Sequence, residues 1–174
     1  MYNHSNIARL ILNKGAATRS RKLIREHCAV FSDLYLNVQR NRMSNHLKRT
    51  ITQEKLAQNS IEQIQRIKKL AERDSIPLVV VLIPDENQIN RNLQQVLLTN
   101  KERSKFDFEM PQSMLKDMFA DAAIPVIDLL PYFMEYPRCM YMNDTHWTAE
   151  GHALAAEVIR ENIIDENMLP EFRK

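Results

Sequence analysis

Leu56, Ile61, Ile64, Ile67, Leu70 and Ala71 recur near a period of 3.6 residues and predict a long amphipathic helix over 53–74. Thr50 or Thr52 serves as its cap, with Gln53 placed for a capping box, and Asp74-Ser75-Ile76-Pro77 ends it. The pattern then changes to the unbroken run Leu78-Val79-Val80-Val81-Leu82-Ile83, closed by Pro84, which predicts a strand buried on both faces, as in a parallel sheet. Ile124 to Leu129 predicts a second strand, with Pro125 tolerated at its start. Between the two, Asn90 to Lys105 predicts a helix that turns Leu93, Val96 and Leu97 inward. Pro111 then opens another, carrying Met114, Leu115, Met118, Phe119 and Ala122. Leu130 to Arg138 reads as a crossing loop, and Ala149 to Ile164 as a last helix that packs Leu154, Ala155, Val158 and Ile159 on the sheet. Two strands with a helical connection predict a parallel, adjacent pair, hence an α/β fold.

Upstream, Ile7, Leu10 and Ile11 predict a short helix near 3–13, stopped by Asn13-Lys14-Gly15, and the apolar positions from Leu23 to Val38 predict a longer one. This part gathers Arg19, Arg21, Lys22, Arg25, Arg40, Arg42, Lys48 and Arg49 against Glu26 and Asp33. A nucleic-acid or anionic-membrane patch is one reading and a solvated helix face the other. The second is preferred, because a positive cluster alone gives affinity without specificity. The chain divides into a basic helical segment at 1–49, an α/β portion at 50–169 and a fraying tail at 170–174.

With 174 residues, 44% hydrophobic and 26% charged, the chain has the size and composition of one folded domain. A net charge of +2 gives no case for specific nucleic-acid binding. Gly15 and Gly151 are the only glycines, which removes phosphate loops, dinucleotide folds and nucleophile elbows from consideration. No cofactor motif remains. Cys28 and Cys139 fit two free thiols or, in an oxidising compartment, one bridge; free thiols are the expectation. Neither a secretory signal nor a run of about 18 apolar residues is present. The chain as given therefore reads as cytoplasmic, with a cell-envelope location following if it is truncated.

The chemistry concentrates in Tyr141-Met-Asn-Asp-Thr-His-Trp-Thr-Ala-Glu-Gly-His152. Asp144 and His146 stand two residues apart on a loop, Thr148 caps the last helix, and Glu150 lies in its first turn. A carboxylate beside an imidazole fixes the ring tautomer and stabilises the imidazolium, which makes an acid/base pair. Asp85, Glu86, Asn87 and Gln88 follow the carboxyl end of the first strand, where open α/β sheets place ligands. Asp85 and Asn87 are accordingly candidate substrate contacts, although turn-forming polar residues belong there in any case. Asp128 is read as an acceptor for the turn after the second strand.

Asp144-Thr-His-Trp-Thr-Ala-Glu-Gly-His152 followed by an Ala-rich helix resembles the last motif block of the SGNH (GDSL-type) esterases, near the branch of the alginate O-acetylation proteins. The resemblance extends over about 50–165, the second half of that fold. It implies a three-layer, flavodoxin-like parallel sheet, incomplete here and with extra N-terminal helices. His146 would be the general base and Asp144 its orienting partner; Trp147 and His152 match the motif without an agreed chemical step there, and Trp147 is taken as a candidate substrate contact. The implied substrate is an acyl ester or an O-acetylated carbohydrate, cleaved or transferred. That family also carries a Gly-Asp-Ser nucleophile block and a Gly and an Asn as oxyanion donors. No Gly-Asp-Ser or Gly-x-Asn-Asp occurs here, and every serine from Ser5 to Ser113 falls on a predicted helix or its end. As an isolated chain it is therefore expected to be inactive: a remnant, a truncated product or one part of an assembly, completed by self-association or a complementing half. Two other readings stay open. One is a non-catalytic α/β interaction module; the other is a metal site made by Asp144, His146 and His152.

Overall fold

In the computed structural model, which describes residues 29–136, 139–142 and 144–164, Val80–Leu82 (β1) and Val126–Asp128 (β2) run parallel and adjacent. Val80 sits opposite Val126, Val81 opposite Ile127 and Leu82 opposite Asp128. Because side chains alternate along a strand, the two strands divide the core into two faces. Val79, Val81 and Ile127 join Leu129, Phe133, Leu154 and Val158 on one side. Val80, Leu82 and Val126 join Ile61, Phe119 and Ile124 on the other. Both strands are shorter than their apolar runs. Pro84 and Pro125 bound the ladder, each lacking a donor.

Helix α1 (Asp33–Arg42) is capped by Ser32, whose Oγ accepts from the Tyr35 amide at 3.2 Å, and it passes directly into a 3-10 turn, Met43–His46. Helix α2 (Ile51–Arg73) has Thr50 as its cap, with a reciprocal box to Gln53. Ala57 and Ile61 are its buried residues, while Leu56, Ile67 and Leu70 of the apolar stripe are exposed. The helix packs against Met110–Asp121 (α6) along one narrow line, so positions a fraction of a turn away stay in solvent.

The helix expected over 90–105 is three short ones: Glu86–Ile89 (α3), Arg91–Leu97 (α4) and Asn100–Arg103 (α5). Side-chain caps divide them. Asp85 and Gln88 form a box on α3, Asn90 accepts from the amides of Asn92 and Leu93, and Thr99 and Glu102 box α5. Each offers the backbone a bond that a continuous helix would compete for. The expected crossing loop after β2 contains a helix, Leu130–Glu135 (α7), with Pro131 in its first turn. Asp128 accepts from the Leu130 amide at 3.0 Å, as a strand-end Asp does, and also pairs with Lys116 at 2.9 Å. The last helix, α8, spans Ala149–Ile164.

Cys139 is disulfide-bonded, which corrects the expectation of free thiols. Cys28 lies outside the described residues, as do the helix near 3–13, the first part of the one begun at Leu23, and the tail. Among the described residues no helix is long and apolar enough to cross a membrane.

Candidate functional site

The loop before α8 is fixed at both ends. Tyr141 and Trp147 form an antiparallel bridge, the Met142 amide donates to the His146 carbonyl at 2.7 Å, and the Thr148 amide donates to the Met140 carbonyl at 2.9 Å. Thr148 then bonds in two directions, its hydroxyl donating to the Cys139 carbonyl at 2.8 Å and accepting from the Gly151 amide at 3.2 Å. The Tyr141 hydroxyl donates to the Pro84 carbonyl, tying the loop to the carboxyl end of β1. Burial pushes that hydroxyl up to about 12, so it remains a donor at ordinary pH.

Gly151 is required by close approach. A Cβ there would lie 2.6 Å from the Met140 carbonyl oxygen and 3.1 Å from Trp147 Cβ, inside contact distance. Trp147 is wedged between Phe133, at 5.3 Å between ring centroids, and His152, edge-on at 5.4 Å.

At the turn of this loop Asp144 Oδ1 lies 3.2 Å from His146 Nδ1 and accepts from the His146 amide at 3.1 Å. The amide first, and the imidazole after it, hold the Asp144 carboxyl below the usual carboxylate range. Thr145 between them has φ +74°, a left-handed conformation that is costly for a β-branched residue and that folds the two side chains to one side. Both are solvent-facing, with 58% of the Asp144 side chain and 75% of the His146 side chain exposed.

His146 and Trp147 stand at a cavity of about 500 Å³ at the carboxyl end of β1, with Ile83, Pro84, Asp85, Pro111 and Leu115 along its walls. Of the candidate site residues named in the sequence, Asp85, Gln88, His146, Trp147 and His152 come together here. Asn87 does not: it is fully buried, and its Nδ2 donates to Gln39 Oε1 at 2.9 Å. Asn87, expected as a substrate contact, is thus held inside the fold against Gln39 of α1 and does not line the cavity. No group of three His, Cys, Asp or Glu side chains among the described residues converges as a metal would require. His152 lies on α8 with its ring against Trp147 and lines the same cavity as His146, but it does not join Asp144 and His146 in a metal-holding group.

The cavity also holds two residues that the sequence did not assign to this site, Arg42, read there only as part of the basic cluster, and His46. Arg42 Nε donates to Asp85 Oδ2 at 2.9 Å, and His46 Nε2 lies 3.7 Å from the same oxygen. Burial pushes Asp85 up, but His46 and Arg42 outweigh it, and its carboxyl ends below the usual range. Arg42 and Asp85 are 43 residues apart, so no local spacing signals the pair.

The family of the SGNH hydrolase-like domain, acetyltransferase AlgX, matches residues 43–173. No curated protein and no solved structure matches the chain. The match covers both strands, the cavity wall apart from Arg42, and the whole of the Asp144/His146 loop, well over half of the sequence; the chain belongs to the SGNH hydrolase-like domain family of acetyltransferase AlgX.

Proposed function

We propose that the chain carries the acid/base part of an SGNH-type site that cleaves or transfers acyl esters, O-acetylated carbohydrate among them. The observation that supports this most is the 3.2 Å approach of Asp144 to His146 Nδ1 at a cavity beyond the carboxyl end of β1. In this reading Asp144 keeps the proton on Nδ1 and leaves the Nε2 lone pair free. Nε2 takes the proton of an attacking hydroxyl as its oxygen bonds to the acyl carbon and the C=O π pair moves to the carbonyl oxygen. When that pair returns, the bond to the leaving alcohol breaks, and His146 gives the alcohol the proton. The described cavity wall holds no serine. The attacking hydroxyl is accordingly the acceptor's own, or belongs to a complementing half or a second copy. Trp147 offers a flat apolar face to the substrate. The Cys139 disulfide favours an oxidising compartment, and so the cell envelope over the cytoplasm.

The exposure of both side chains and the serine-free wall favour a second reading, a binding module that kept the scaffold. One comparison separates the two. Cleavage of an aryl acetate by the full chain, with an alcohol acceptor supplied, should fall by about a hundredfold or more in His146→Ala, the ordinary worth of a positioned base. The module reading predicts the same background rate in both proteins.

A further inference from the structure

We infer that Arg42 is the donor that holds the acyl carbonyl oxygen, and the negative charge it gathers during attack, in the cavity beside the Asp144/His146 loop. The inference rests on the acyl-transfer reading. Such a reaction needs hydrogen-bond donors fixed in advance at the carbonyl oxygen, and the Gly and Asn that supply them in SGNH motif blocks are absent here. Several other donors at or near the cavity are already engaged. The Gly151 amide donates to Thr148, Asn87 is buried under α1, and the Tyr141 hydroxyl donates to Pro84. Gln88 Nε2 donates to the Phe108 carbonyl at 2.6 Å, and Gln112 Nε2 to Gln88 Oε1 at 3.1 Å.

Arg42 differs in each respect. It is the one Arg or Lys on the described cavity wall, and its side chain is 40% exposed. Its only hydrogen bond among the described residues is from Nε to Asp85. A guanidinium held at Nε still presents its Nη donors as a planar fork, which suits two lone pairs on one oxygen or a carboxylate. Asp85, itself fixed by the Asn87 amide at 3.3 Å, sets the direction of that fork before a substrate arrives.

His46 belongs to the same arrangement. Its side chain is 3% exposed, it lines the same cavity, and neither ring nitrogen has a hydrogen-bond partner among the described residues. Nε2 faces Asp85 Oδ2 at 3.7 Å, so the ring reinforces the carboxylate that aims the Arg42 fork.

Acetate, which carries the acyl group with a charged oxygen pair, is the probe, and acetamide is its neutral counterpart. Both are titrated into the full chain while the Arg42 and His46 side-chain resonances are followed. Acetate should bind more tightly than acetamide and shift both residues. In Arg42→Ala its affinity should fall by about tenfold or more, the worth of a charge-assisted bond. Arg42→Lys keeps a cation opposite Asp85 but loses the fork; with its fold verified by circular dichroism, it should show a comparable loss. Equal acetate affinity in wild type and Arg42→Lys, or no acetate binding, overturns the inference. If acetate depends on Arg42 while His146→Ala leaves aryl acetate cleavage intact, the acyl-transfer reading fails and the anion-binding wall remains. If cleavage depends on His146 and acetate ignores Arg42, the inference fails alone.

Discussion

Gly151 links a single residue to the geometry of the loop. A methyl group at 2.6 Å from the Met140 carbonyl must displace either the start of α8 or the segment that holds Trp147 and His146. Gly151→Ala should therefore cost about 1–3 kcal/mol, the range for overpacking a tight contact. It should also shift the His146 ring resonances. Urea unfolding and a proton–carbon correlation spectrum read the two effects, and a variant with unchanged stability and ring shifts would show that the loop has room there. Glu86 makes a different residue-scale test. Burial raises its carboxyl above the ordinary 4.5, against the opposing bonds from Tyr35 and Asn90. Its contribution is thus fully present below the unfolded value and is lost as pH rises through the raised folded value. Wild type should lose stability relative to Glu86→Gln as pH is raised from the ordinary 4.5 through the raised folded value, and parallel stability curves would contradict this. Asp85, held low, acts in the opposite sense: its contribution exists above its ordinary 3.8 and disappears as pH falls through the lowered value.

Among the elements, the strands and the two long helices were legible because their apolar pattern is local. The run from Leu78 to Ile83 and the stripe on α2 need no tertiary information. The three short helices between Glu86 and Arg103 were not, because Asn90 and Thr99 act as caps only where the fold lets their side chains reach the next turn. Asn90 also donates to Glu86 Oε1 at 2.8 Å, joining α3 to α4. Asn90→Ala should cost about 0.5–2 kcal/mol for the lost cap, measured by thermal unfolding; a change within experimental scatter would mean that packing of Leu93 alone defines α4. The Asp144/His146 pair was legible for the same reason as the strands, since two residues on one tight turn need nothing distant. Arg42 and His46 were hidden because their partner, Asp85, becomes adjacent only when α1 folds over the end of β1.

At the scale of the molecule, β1 and β2 pair only with each other among the described residues. The amide of Val80 donates to the Pro125 carbonyl and the amide of Leu129 to the Leu82 carbonyl, so Val80 and Leu82 face β2. By the alternation of a parallel ladder, Val81 turns its N–H and C=O to the opposite edge. An open edge invites pairing with another strand. The Val81 amide should exchange with solvent faster than that of Leu82 in dilute protein, and become protected as concentration rises if a second copy completes the sheet. Exchange at Val81 that is slow and independent of concentration would show the edge already covered within one chain.

The pairing of Asp144 with His146 is tested most directly by the nitrogen resonances of the His146 ring above neutral pH. With the carboxylate 3.2 Å from Nδ1, the proton should reside on Nδ1 and the lone pair on Nε2, and Asp144→Asn should return the ring to a mixture of tautomers without moving the unfolding midpoint. A ring protonated on Nε2 in the wild type, or tautomer populations unchanged by Asp144→Asn, would contradict the pair as an acid/base unit.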